Sequence, residues 1–358
     1  MNLPLHGSNP DYLYKALNIK MPSEIIDFSV NINPFGPPGS LVEKWEDWLP
    51  LIQDYPDPKG RELISLISKV EKVPNSYITL GNGGSELIML LGRRFSGQPI
   101  GIIQPTFSEY EKATKAAHCS VSYIHLKEPD WSLDFEELYK VIPTLGALFI
   151  CNPNNPTGHS HSMNDLLKLL EICEENKCFL IVDEAFYDFQ MEYNNLSSCI
   201  QKSNYLILIR SLTKMFSIAG LRLGYLLANE KIINELRTLQ PEWNVNAIAL
   251  EAGRECISEH EFVQQTQVFI QDERERITTI LTDNGYHLSN SCVNFYLLKD
   301  PKLTDQQPLL EHLLMKGIVP RHTENFPGLN GMWLRFSLRT RPENEMLLEA
   351  LMDWNKKD

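Results

Sequence analysis

The sequence predicts an α/β protein in which a mainly parallel sheet is covered by helices and joined to a smaller α+β unit. Three observations carry this. Short apolar runs of strand length alternate with helical patterns through the middle of the chain. Several of those runs lead into loops rich in Gly, Pro and Asn. From about residue 230 the pattern changes to long helices, followed by a strand-like pair at 294–298 and 332–338.

The candidate strands are 77–80, 100–104, 147–151, 179–183, 205–210 and 223–227, each of a length suited to burial rather than to crossing a membrane. Between two of them, 164–177 sets Leu166, Leu167, Leu169, Leu170 and Cys173 on one broad helical face with Asn164 placed as N-cap. That is a βαβ crossover. The 358 residues correspond to about two domains. The expected division is an N-terminal arm at 1–35 that packs with the small domain, a large domain at 36–235 and a small C-terminal domain at 236–358, joined by a continuous helix near 229–250.

Composition narrows the function. With 33 basic and 46 acidic residues the net charge is −13, which disfavours nucleic acid because backbone phosphates need a basic face. Pocket arginines can still bind small anions. The seven scattered cysteines include no CxxC pair and read as reduced thiols, so no zinc or other metal is expected. Neither a secretory signal nor a membrane-length apolar run is visible, so a cytoplasmic protein is expected.

Five loops that each follow an apolar run are positioned to converge, since ligands of open α/β sheets bind beyond the carboxyl ends of the strands. They are GNGGSE (81–86), PTFSEY (105–110), NPNNPTG (152–158), DEAF (183–186) and SLTKMFSIAGLRLG (211–224). In this order they resemble the fold-type I pyridoxal 5′-phosphate enzymes of the class I/II aminotransferase group, over nearly the whole chain. The resemblance implies a large domain with a seven-stranded, mainly parallel sheet, and pyridoxal phosphate as cofactor.

It also implies roles. Lys214 would hold the cofactor aldehyde as a Schiff base. Asp183, ending an apolar strand where a lone carboxylate is costly, would pair with the pyridinium nitrogen. Gly84 and Ser85, directly before a helical pattern, would offer backbone N–H groups to the cofactor phosphate, with Ser211 and Arg222 completing the cup. Asn155 would bind the ring hydroxyl and Phe107 stack on the ring. Tyr55 would reach the phosphate in a neighbouring subunit, implying a homodimer. Phe186 stands where many relatives carry a tyrosine that donates to the ring oxygen, with Tyr187 following it.

Within this group, HGSN (6–9), DFSVNINPFGPP (27–38) and YPDPKG (55–60) look like the threonine-phosphate decarboxylases of cobalamin biosynthesis, with histidinol-phosphate aminotransferases as the sister group. Ser8 departs from the usual HGGN. The resemblance implies decarboxylation of L-threonine O-3-phosphate, with Arg335 on the substrate carboxylate and Arg321, His6 and Asn33 on its phosphate; Asn155 also borders the substrate. Arg339 and Arg341 read as surface or supporting residues, and His159 and His161 as loop residues. The alternatives are an aminotransferase acting on histidinol phosphate and a non-catalytic cofactor-binding regulatory module. The latter is disfavoured by the acidic charge and the lack of a DNA-binding segment before His6.

Overall fold

The computed structural model describes residues 3–192 and 196–356. Its strands, in chain order, are β1 (Ile26–Asp27), β2 (Ile78–Gly81), β3 (Pro99–Gln104), β4 (Ser120–His125), β5 (Ala147–Cys151), β6 (Phe179–Asp183), β7 (Leu206–Ser211), β8 (Gly224–Ala228), β9 (His287–Leu288), β10 (Phe295–Lys299), β11 (Ile318–Val319), β12 (Arg321–His322) and β13 (Leu334–Ser337). Seven of them form one sheet in the order β2-β8-β7-β6-β5-β3-β4. All run parallel except β8, which is antiparallel to both neighbours.

The central strands are continuous apolar runs because both faces of the sheet are covered. Their period of two divides the side chains: Leu180, Val182, Leu206 and Leu208 enter one core, and Ile181, Ile207 and Ile209 the other. The same alternation puts Asp183 and Ser211 on the face of Ile181 and Ile209, and Arg210 on the opposite face. There Arg210 is buried between Glu71 (2.6 Å) and Glu184 (2.7 Å), above the Tyr187 ring (3.8 Å to its centroid).

A second sheet of order β12-β13-β10-β9 is antiparallel, and β1 pairs in parallel with β11, tying the N-terminal segment to the C-terminal part of the chain. The expected strand pair at 294–298 and 332–338 is the central β10–β13 pairing of this sheet.

Two expectations need correction. The crossover helix is Met163–Glu175 and its N-cap is Ser162, not Asn164: the Ser162 hydroxyl, on extended backbone, accepts from the Asp165 N–H. No continuous helix joins the two halves near 229–250. Helix Glu230–Arg237 stops before Pro241, and a new helix, Ala247–Ser258, starts at an Asn246 cap. The edge strand β4 was not anticipated, since SVSYIH carries little apolar signal; most of its side chains face solvent.

Candidate active site

The carboxyl ends of β2, β3, β5, β6 and β7 open into a cavity of about 520 Å³, within the range typical of small-molecule sites. At its centre stands Lys214, three residues past the end of β7. Its backbone oxygen accepts from the Asn33 N–H at 2.9 Å, which fixes the loop. Burial, then the neighbouring Arg222 and Arg335, bring the Lys214 ammonium down to about 8. A lysine so placed is free amine for roughly a tenth of the time at pH 7 and for most of it above pH 8, and the free amine is the form that attacks a carbonyl carbon.

Asp183 ends β6 with its carboxylate buried and facing the cavity. Oδ2 accepts from the Tyr110 hydroxyl at 2.7 Å and Oδ1 from the Ala185 N–H at 3.0 Å. Burial raises its pKa, an effect opposed by the Tyr110 bond and weakly by Lys214. An acceptor-rich carboxylate directed at a cavity is an arrangement that stabilises a cation placed there.

The helix Gly83–Arg94 begins at the cavity edge, and Gly84 and Ser85 both line it. Gly83 has φ +75°, and a Cβ there would meet Arg222 Nη2 at 2.6 Å, so the missing side chain is what lets the guanidinium lie across the helix start. Ser211 also lines the cavity and shares a 2.8 Å hydrogen bond with Thr213 Oγ1. Helix N–H groups, two hydroxyls and a guanidinium form a cup for an anion.

On the other side, Arg335 of β13 is buried, donating to Asn155 Oδ1 and to the Ser29 carbonyl (2.7 Å), while its Nε has no partner among the described residues. Arg321 of β12 donates to the carbonyls of His322 (2.7 Å) and Leu5 (2.6 Å) and to Asn325 Oδ1. Burial lowers both guanidinium groups, Arg335 to about 9 and Arg321 to about 10. Both line the cavity, as do His6, Ser8 and Phe107.

Eleven of the thirteen residues singled out from the sequence therefore border this cavity; Asn33 and Tyr55 do not. Asn33 is a correction. Its amide donates to the Met215 carbonyl (2.9 Å) and Thr266 Oγ1 (2.8 Å), and its Oδ1 accepts from the Phe35 N–H, so it braces the lysine loop instead of facing a ligand. Asn31, two residues earlier, takes the cavity position with a buried Oδ1 that has no partner among the described residues. Tyr55 is 81% exposed and packs on Trp243, 4.6 Å between ring centroids. Phe186 lines the cavity and packs edge-on against Phe295 at 4.8 Å. Tyr187 does not replace the missing hydroxyl, because it lies under Arg210 on the opposite face.

Asn31, Tyr110 and Thr213 were missed. Each lies within a motif the sequence displayed, but no local signal separates the member that faces the cavity from its neighbours. Among the described residues no group of three or more His, Cys, Asp or Glu side chains could hold a metal ion, and no helix is long and apolar enough to cross a membrane.

Comparison with known proteins places this geometry in context. The chain is 32% identical to the threonine-phosphate decarboxylase of Salmonella typhimurium over 349 residues, 97% of this chain and 95% of that protein. It is 33% identical to the adenosylcobalamin biosynthesis bifunctional protein CobDQ of Leptospira interrogans, matching 98% of this chain and 41% of that longer protein. The crystal structure of the histidinol-phosphate aminotransferase from Clostridium acetobutylicum superposes with a TM-score of 0.87 at 30% identity, covering 92% of this chain and 99% of the other. With the sheet, the cavity and these similarities agreeing, and with the family model described as aminotransferase class I and II matching residues 23–351, the chain belongs to that family.

Proposed function

We propose that the chain binds pyridoxal 5′-phosphate in this cavity and decarboxylates L-threonine O-3-phosphate to (R)-1-amino-2-propanol O-2-phosphate, as a lyase of cobalamin biosynthesis. The observation that carries the substrate choice is the pair Arg321 and Arg335: both are buried in one cavity, and their hydrogen bonds among the described residues go to neutral oxygens. A substrate bearing a carboxylate and a phosphate supplies an anion to each.

The residues fit the cofactor. Asp183 is a buried carboxylate without a cation bonded to it, and the cup formed at Gly84, Ser85, Ser211 and Arg222 suits a phosphate. Bound there, pyridoxal phosphate supplies a protonated ring that accepts the electron pair left at Cα when CO₂ departs. Asp183 would favour a proton on the ring nitrogen, and the Tyr110 hydroxyl keeps Asp183 oriented. Lys214 would hold the cofactor aldehyde and would supply the proton that the substrate Cα takes up. Arg335 and Asn155 grip the carboxylate end; Arg321, His6 and Asn31 take the phosphate. Phe107 would stack on the ring, and Phe186 would offer it no hydrogen bond.

A histidinol-phosphate aminotransferase is the second reading, favoured by the Clostridium acetobutylicum structure. In that reading one arginine would take the phosphate of histidinol phosphate and the other a carboxylate of the keto-acid acceptor, so the product assay separates the two. The proposal extends to a homodimer, supported by Tyr55 and by the exposed Trp45, Leu49 and Ile52 on the same segment. It includes the division at 35 and 235, with the seven-stranded sheet inside the middle segment and the four-stranded one inside the last. The unpaired cysteines support a cytoplasmic location.

The test is mass spectrometry of products from cofactor-loaded protein and L-threonine O-3-phosphate, with and without 2-oxoglutarate, alongside histidinol phosphate. Aminopropanol phosphate formed without a keto acid is expected. Amino transfer dependent on the keto acid, without CO₂ release, would replace the first reading by the second.

A further inference from the structure

We infer that Glu109 is a positioning residue for phosphate recognition, acting through His6; the inference rests on the reading of the substrate as a phosphomonoester. Glu109 opens the helix Glu109–Ala116, and its side chain is only 12% exposed although it borders the cavity. One oxygen, Oε1, takes both His6 Nε2 at 3.1 Å and Lys112 Nζ at 3.4 Å. A carboxylate beside an anion-binding cavity repels the ligand unless it is committed to a cation. Here it is committed to two basic groups that themselves border the cavity.

His6 is held for this contact by tethers on both sides. The Leu5 carbonyl accepts from Arg321 and Asn325, the Pro4 carbonyl from His322 Nε2 at 2.8 Å, and the Ser8 N–H donates to Ser29 Oγ at 3.1 Å. The ring also rests against Phe107, 5.9 Å between centroids. With Nε2–H given to the Glu109 carboxylate, Nδ1 is the nitrogen left to meet a ligand. Glu109 thus turns a half-exposed arm histidine into an oriented phosphate partner, with Lys112 balancing the charge that Glu109 introduces.

A carboxylate in a first helical turn also stabilises the helix itself, so the experiment separates the two roles. Glu109→Gln and His6→Asn, singly and together, are compared in the cofactor-loaded full chain with L-threonine O-3-phosphate. Glu109→Gln is expected to raise KM ~5–10-fold with little change in kcat, the signature of lost binding, and the double variant to be no worse than the weaker single. The melting temperature is expected to fall only slightly, by the helix contribution alone. An unchanged KM, a loss expressed only as melting temperature, or effects that multiply in the double variant would overturn the inference. If the protein turns over neither threonine phosphate nor histidinol phosphate, the proposed function has failed on its own. The dissociation constant of inorganic phosphate for the cofactor-loaded protein then gives the answer: weakened by Glu109→Gln if the inference holds, unaltered if it does not.

Discussion

Replacing Lys214 by Met removes the nucleophile and, in the cofactor-free protein, also removes a charge that the fold accommodates poorly. The lysine titrates near 8 in the folded chain against 10.5 for an ordinary lysine, a gap of 2.5 units. At about 1.36 kcal/mol per unit this amounts to about 3 kcal/mol, and solvent in the cavity screens part of it, leaving roughly 2–3 kcal/mol. The sign follows from proton binding. Between the two values the unfolded chain holds the proton and the folded chain does not, so stability rises with pH. The penalty is complete below 8 and fades as pH climbs toward 10.5. Lys214→Met is therefore expected to stabilise the cofactor-free protein by roughly 2–3 kcal/mol at pH 7, and by less than half of that at pH 9.5. Denaturant unfolding of wild type and variant at both pH values measures this, while turnover of the loaded variant falls to background. A variant less stable than wild type at pH 7, or a gap that does not change with pH, refutes the argument.

Three further outcomes are expected. Arg335→Lys keeps the charge but not the fork, losing about one charge-assisted hydrogen bond worth ~1.5–3 kcal/mol, so kcat/KM falls ~10–100-fold while the absorbance of the bound cofactor is unchanged; a loss under about threefold contradicts this. Arg210→Leu strips the guanidinium from the buried Glu71 and Glu184 and should cost ~3–5 kcal/mol of stability, read as a lower unfolding midpoint. An equally stable variant would show that the network carries no net pairing energy. Gly83→Ala places a methyl 2.6 Å from Arg222 Nη2 at φ +75°, and should weaken cofactor binding about tenfold in equilibrium titration. Wild-type affinity would mean that Arg222 is free to move aside.

The central strands were legible because strands covered on both faces must be apolar throughout, and Phe179–Asp183 and Leu206–Ser211 are written that way. The loops after them were legible because tight turns and anion cups restrict which residues can stand there. Lys214, Asp183 and Arg222 were found through their motifs, and the cavity assembles them from two separate segments. The edge strand Ser120–His125 was hidden because a strand with most of its side chains in solvent lacks the apolar signature. Pro241 marks the break between the helices Glu230–Arg237 and Ala247–Ser258, while the helical pattern on either side of it masks the interruption.

What the sequence by itself determined is local: which segments are strands, which turn tightly, and where a charge at a strand end demands a partner. What only the tertiary structure decided is which of several eligible side chains meets that partner. Asn31 and Asn33 are chemically identical and two residues apart, yet Thr266, 233 residues after Asn33, captures one and leaves the other at the cavity. The Tyr110 hydroxyl reaches Asp183 across 73 residues, and Glu109 reaches His6 across 103. Such pairings depend on how whole elements pack, because a hydrogen bond needs its atoms within about 3 Å, and spacing along a chain does not specify distance between distant segments.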